Sequence, residues 1–169
     1  MASLEFIHYQ PRTFDFGAAQ SPNWKALKRK PIKNLPQIVW EDNSTWAEAN
    51  LWALEQATSF RRDLKTIRSN MAHLLGYAKW LESESTSWRY FPDKESERCL
   101  VRFRGALISA RNDGELAPST VSQRMASVIR FYKWMRAKQL ISLAYPMWEE
   151  RSVGCLLYTS DAADESVSV

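Results

Sequence analysis

Val121, Met125, Val128, Tyr132 and Met135 recur at steps of four, three, four and three residues. That spacing draws one apolar stripe down an α-helix and commits the stretch Leu116 to Ile141 to packing one side on a core. Pro118 breaks any helix arriving from upstream, and Ser119 stands where an N-cap belongs. At 100° per residue, Gln123, Ser127, Arg130 and Lys133 fall opposite the stripe, so the far side is expected to be polar and cationic.

Three further helices are expected upstream. Thr45 and Glu48 have the spacing of a capping box, in which a hydroxyl and a carboxylate each satisfy a free amide, and open a helix running to about Ala57. Between Arg61 and Glu82, the residues Leu64, Ile67, Met71, Leu74, Ala78 and Leu81 alternate steps of three and four, the cleanest stripe in the chain. Arg62, Lys65, Ser69, His73 and Gly76 lie nearly opposite it. His73 taken alone reads as a solvent-facing histidine, and Gly76 as a place where another backbone comes close. A third helix, Asp93 to Asn112, turns Leu100, Phe103, Leu107 and Ile108 inward and treats Cys99 as a small buried hydrophobe. Asn112-Asp113-Gly114 closes it with a turn.

Residues 1–43 keep no sustained period. Pro11, Pro22, Pro31 and Pro36 punctuate them, while Lys25, Lys28, Arg29, Lys30 and Lys33 cluster between. They read as an irregular, extended basic arm with a short helical turn around Trp24 to Leu27. Such an arm is either a loose extension or a strap on nucleic-acid phosphates. Ile38, Val39 and Trp40 are expected to pack on the helices. No segment alternates at period two, so no strand is expected. The domain reading is therefore an arm at 1–43, a helical domain at 44–150, and an exit segment and tail at 151–169.

Composition narrows the function classes. At 169 residues with 45% apolar content the chain can build one core. The net charge is +4, and the acids Asp161, Asp164 and Glu165 of a tail without lysine or arginine mask a more basic body. That balance permits a polyanionic partner. Cys99 and Cys155 with His8 and His73 form no metal-ligand pattern, so no metal or other cofactor is expected. Charges interrupt every apolar run, and MASLEFIHYQ lacks the layout of a secretory signal. No membrane partner follows, and the cytoplasm is the expected compartment. Neither a phosphate-cradling glycine loop nor a serine–histidine–acid set is present, which leaves little for an enzyme or a small-molecule ligand.

Several of these segments taken together carry a resemblance. They are Ser119-Thr120 opening the last helix, Arg124-Met125 one turn in, Arg130-Phe131-Tyr132-Lys133-Trp134 further along, Leu140-Ile141 at the exit, and LLGYAKWLE from Leu74 to Glu82. In order and spacing they resemble the core-binding domain of tyrosine recombinases, the phage-type site-specific integrases. The resemblance spans about Ile38 to Glu150. It implies an all-α, SAM-like bundle of about four helices that clamps double-stranded DNA together with a C-terminal catalytic domain. In that family the catalytic domain supplies an arginine–histidine–arginine set and a tyrosine nucleophile, and further recombinase protomers are partners in DNA integration and recombination.

Only 19 residues follow Glu150. Of these, CLLYTSDAADE at 155–165 resembles the conceptual translation of a transposase-end sequencing adapter. Tyr158 is therefore not carried over as a nucleophile, and Ser160 and Asp161 receive no role. The expectation is a chain that by itself binds DNA and cuts nothing. Its second and fourth helices are expected to face the duplex, through Arg62, Lys65, Ser69 and His73 on one and Gln123, Ser127, Arg130 and Lys133 on the other. Arginine and lysine would neutralise phosphates, while Gln123 and Ser127 would read bases. Arg124 lies nearer the stripe, where an internal salt bridge competes with a DNA contact. The alternatives are a helix-turn-helix regulator, which needs a tighter connection than Asn112 to Pro118, and a helical protein-docking module anchored on Trp134 or Trp80.

Overall fold

A computed structural model describes residues 1–16, 22–28, 30–59 and 62–148. Arg29 of the basic cluster, Arg61 and the whole stretch from 149 onward, with Cys155, Tyr158, Ser160 and Asp161, lie outside the described residues. Four helices are present: α1 Ala47–Thr58, α2 Leu64–Ser83, α3 Cys99–Asn112 and α4 Pro118–Ala137. They do not make an all-α protein. Two small antiparallel sheets precede them, so the fold is mixed α/β. Strand β1 (Ser3–Tyr9) pairs with β4 (Ile32–Val39), and β2 (Arg12–Phe16) pairs with β3 (Pro22–Ala26).

The expected irregular arm is thus a folded-back ribbon, and the helical turn expected at Trp24 to Leu27 is mostly strand β3. Two features hid it. Pro36 sits inside β4 opposite Phe6, which a two-stranded ribbon tolerates because each strand keeps one unpaired edge. The pairing also slips between Ile7 and Tyr9, where β4 spends one extra residue. Asn34 is nearby with φ 57°, a left-handed conformation that asparagine accepts better than most residues. The slip destroys the alternation that would betray a strand.

The base of the ribbon belongs to the core. Leu35, Ile38 and Val39 of β4 are buried with the helices, as is Ala2. Asn50 of α1 clamps the outer edge of β4: Ile38 N–H donates to Asn50 Oδ1 at 2.7 Å, and Asn50 Nδ2 donates to Ile38 O at 3.1 Å. One buried carboxamide therefore stands in for a missing neighbouring strand.

Trp46 lies at the centre. Its ring packs on Trp40, Phe131, Trp88 and Tyr77, with centroids 4.8, 5.3, 6.0 and 6.3 Å away. Such aromatic pairs contribute about 0.5–1.5 kcal/mol each beyond their buried area. Tyr77 and Tyr132 join α2 to α4 through their hydroxyls at 2.9 Å, and Tyr132 also donates to the Trp88 carbonyl. Cys99 is a buried free thiol beside them. Arg98, itself buried, donates to the carbonyls of Pro92, Asp93 and Pro146 and so ties the exit segment to the start of α3.

Helix boundaries depart from the sequence reading at their starts. Trp46, not Thr45, caps α1, and no side chain caps it. Thr45 bridges Val39 instead, while Glu48 pairs with Arg89 at 2.7 Å. Ala117 caps α4 and Pro118 is its first helical residue, where a missing N–H costs nothing. Ser119 is therefore inside the helix. At their C-termini α2, α3 and α4 end alike. Ser85, Gly114 and Gln139 take positive φ, and Thr86, Glu115 and Leu140 donate back to Leu81, Ala110 and Met135. This is the Schellman stop, which glycine favours. Only Gly114 announced it in the sequence.

Candidate nucleic-acid interface

Helices α2 and α4 lie side by side in opposite senses. Asn70 meets Ser127 and Arg130, His73 meets Gln123, and Gly76 meets Arg124. Of the residues expected on the two polar faces, His73, Gly76, Gln123, Ser127 and Arg130 meet at this seam. No aspartate or glutamate occurs from Leu64 to Leu81 of α2 or anywhere in α4. Among the described residues, no ion pair joins Arg62, Lys65, Arg124 or Arg130 to a carboxylate. The acids that do form pairs, Glu41, Glu48, Glu55, Glu82, Glu84 and Glu97, lie elsewhere.

The expected residues do not all occupy this surface equally. Lys65 and Ser69 are exposed on α2, and Gln123 and Arg130 on α4. Arg62 is exposed but precedes Asp63, the N-cap of α2, so it stands at the helix entrance rather than on its face. His73 is half-buried in the seam. Burial first, then the charge of Arg124, lowers its pKa from the ordinary histidine value, against a hydrogen bond with Gln123 that raises it; Arg130 adds a smaller lowering. Lys133 is exposed with its Nζ 6.0 Å from the Trp148 ring centroid, within cation–π reach.

Ser127 is a correction. It is 0% exposed, and its hydroxyl donates to Asn70 Oδ1 at 3.4 Å and accepts from Arg130 Nη2 at 2.9 Å. A base edge cannot reach it. The phase of α4 explains the error: Phe131 and Trp134, off the apolar stripe, are buried, whereas Val121 and Met125 on the stripe are only half-buried. The buried arc is wider than the stripe and rotated toward α2 and α1.

What Ser127 does instead is hold a cation in place. Arg130 Nη2 also donates to Asn70 Oδ1 at 3.1 Å, and Asn70 Nδ2 donates to Gln56 Oε1 at 3.2 Å. One corner of the guanidinium is pinned inward, and the residue as a whole stays exposed. Its remaining N–H groups keep the fixed fork that suits a phosphate. The residue underrated from sequence is Arg124. Its guanidinium covers Gly76: a β-carbon there would lie 2.8 Å from Cζ and Nε. Gly76 thus makes room for a side chain, not for another backbone. Arg124 Nε is buried without a hydrogen-bond partner, and burial lowers the group's pKa from its ordinary value. Glycine one turn past His73, opposite an arginine, was the signal available in sequence.

Comparison with known proteins adds no relative: no family model, no curated protein and no solved structure matches the chain. Among the described residues no group of histidine, cysteine and acidic side chains is placed to hold a metal ion, and no helix is long and apolar enough to cross a membrane.

Proposed function

We propose that this chain holds double-stranded DNA on the α2–α4 seam, in the manner of the core-binding domain of a tyrosine recombinase. The observation that carries the proposal is the seam itself. Two antiparallel helices without acids along it bring His73, Arg124 and Arg130 together, Lys65 is exposed further along α2, and Arg130 is oriented from below by Asn70 and Ser127. Arginine and lysine so placed neutralise phosphates, and the exposed Gln123 is the side chain suited to a base edge. The role is gripping the duplex. The protein-docking alternative loses one of its anchors, because Trp134 is buried and donates its indole N–H to Glu55.

Salt titration tests the proposal. Binding to a duplex of arbitrary sequence should weaken linearly on a log–log plot as salt rises. Arg124→Gln with Arg130→Gln, both on the seam, should reduce that slope by about 2, because each neutralised phosphate contributes roughly 0.9 to it. Absent binding, salt-insensitive binding, or a double variant with the parent slope would overturn it.

A further inference from the structure

We infer that the distal half of the N-terminal ribbon, β2 with β3, is a second DNA-binding element that enters a groove next to the duplex segment held by α2 and α4. This inference rests on the DNA reading of the seam but on separate residues. Among the described residues, the backbones of β2 and β3 come close to each other and to no helix. A two-stranded ribbon standing alone is marginal in water. This one is held by the cross-strand pair Phe14 and Trp24, rings 5.0 Å apart at 70°. Both rings are exposed, Trp24 by 60%. Around them the charge is one-sided. From Arg12 to Lys33 the sequence holds Asp15 as its one acid, against Arg12, Lys25, Lys28, Lys30 and Lys33, all exposed.

Charge decides the occupant. Two copies of so cationic a ribbon repel one another, whereas a polyanion neutralises them. Shape agrees: a two-stranded ribbon fits the major groove of B-form DNA, and five residue pairs span roughly 17 Å, about half a helical turn. The ribbon also starts from the right place. Its base is tied to α2 by Arg68, whose guanidinium carbon lies 5.5 Å from the Phe6 ring centroid, and Arg68 is one turn from Lys65 on the same helix. In this arrangement the lysines bind phosphates on the groove walls while Trp24 makes apolar contact within the groove.

The test uses the full chain with a duplex long enough to extend beyond the body, read by salt slope and by hydroxyl-radical footprint. Lys28→Gln with Lys30→Gln, just past β3, should reduce the slope by about 2. Phe14→Ser with Trp24→Ser should shorten the footprint at one end. Both should keep the parent thermal midpoint, since among the described residues the backbone of the distal ribbon comes close to no helix. Parent slope and footprint in both ribbon variants, with weakened binding by the Arg124 and Arg130 variant, would overturn the ribbon inference and leave the seam standing. A reduced slope in the ribbon variant alone would support the ribbon and overturn the seam. A dimer in sedimentation that Phe14→Ser with Trp24→Ser dissolves, at unchanged salt slope, would make the ribbon a protein interface and overturn the inference. No DNA binding by the parent chain overturns both.

Discussion

Replacing Gly76 by alanine should stabilise the protein, although a methyl group there would overlap a neighbour. Two effects oppose. Alanine in a helix interior is favoured over glycine by about 0.8–1.0 kcal/mol. Against that, the new β-carbon would lie 2.8 Å from Arg124 Cζ and Nε, so the guanidinium must withdraw by roughly 1 Å to reach ordinary carbon contact at about 3.5–4.0 Å. The withdrawal meets little resistance. The guanidinium is the far end of a flexible side chain, no carboxylate among the described residues holds it, and its Nε is already buried without a partner. An orphaned buried donor costs about 1–3 kcal/mol, so letting it reach water relieves a penalty. The net expectation is a gain of about 0.5–1 kcal/mol, or about 1–4 °C in Tm for a chain of this size. Thermal and urea unfolding followed by far-UV circular dichroism would measure it. In an Arg124→Ala background the same substitution should gain nearly the full helix propensity, so coupling between the two sites should be under about 0.5 kcal/mol. A fall in Tm of several degrees, absent in the Arg124→Ala background, would refute the reasoning. It would mean that Arg124 is anchored in the seam.

Asn50→Ala leaves the Ile38 N–H buried without its acceptor, while the Ile38 carbonyl keeps the Trp46 N–H; a loss of about 2–3 kcal/mol in urea unfolding is expected, and a loss below about 0.5 kcal/mol would remove the clamp from the account. His73 has a folded pKa below its ordinary value of 6.5, so the native state binds fewer protons than the unfolded one. Its contribution is therefore complete above about pH 6.5 and is lost as pH falls from there toward the depressed native value. His73→Gln should flatten the stability profile in that interval, and a profile parallel to the parent's would disprove the assignment.

The four helices were legible because each carries apolar residues at helical spacing over twelve or more positions, and that pattern survives whatever packs against it. Ile67, Met71, Leu74, Ala78 and Leu81 all reach the core as the α2 stripe requires. The ribbon was not legible. Its proline and its one-residue slip break alternation, and among the described residues the backbone of its distal strands comes close to no helix, so no apolar face marks them. Helix starts were misjudged for a related reason. Thr45 and Ser119 have cap chemistry, but Thr45 bridges Val39 instead and Pro118 moves the first turn of α4 ahead of Ser119. Two of the three left-handed stops use serine and glutamine, whose backbone freedom the sequence does not advertise.

The sequence alone determined which segments are helical, which faces are apolar, and that the helices α2 and α4 carry bases without acids along their shared length. These are properties of spacing and residue type, and they hold before any helix finds a neighbour. Tertiary structure decided which polar residues remain outside. A helix packed on more than one side buries more than its stripe, and so Ser127 went from an expected base reader to the support beneath Arg130, while Arg124 came to rest on Gly76. It also decided that strands within the first forty residues pair as a ribbon, because β1 and β4, which run Ser3 against Val39 and Tyr9 against Ile32, meet only once the chain has folded back on itself.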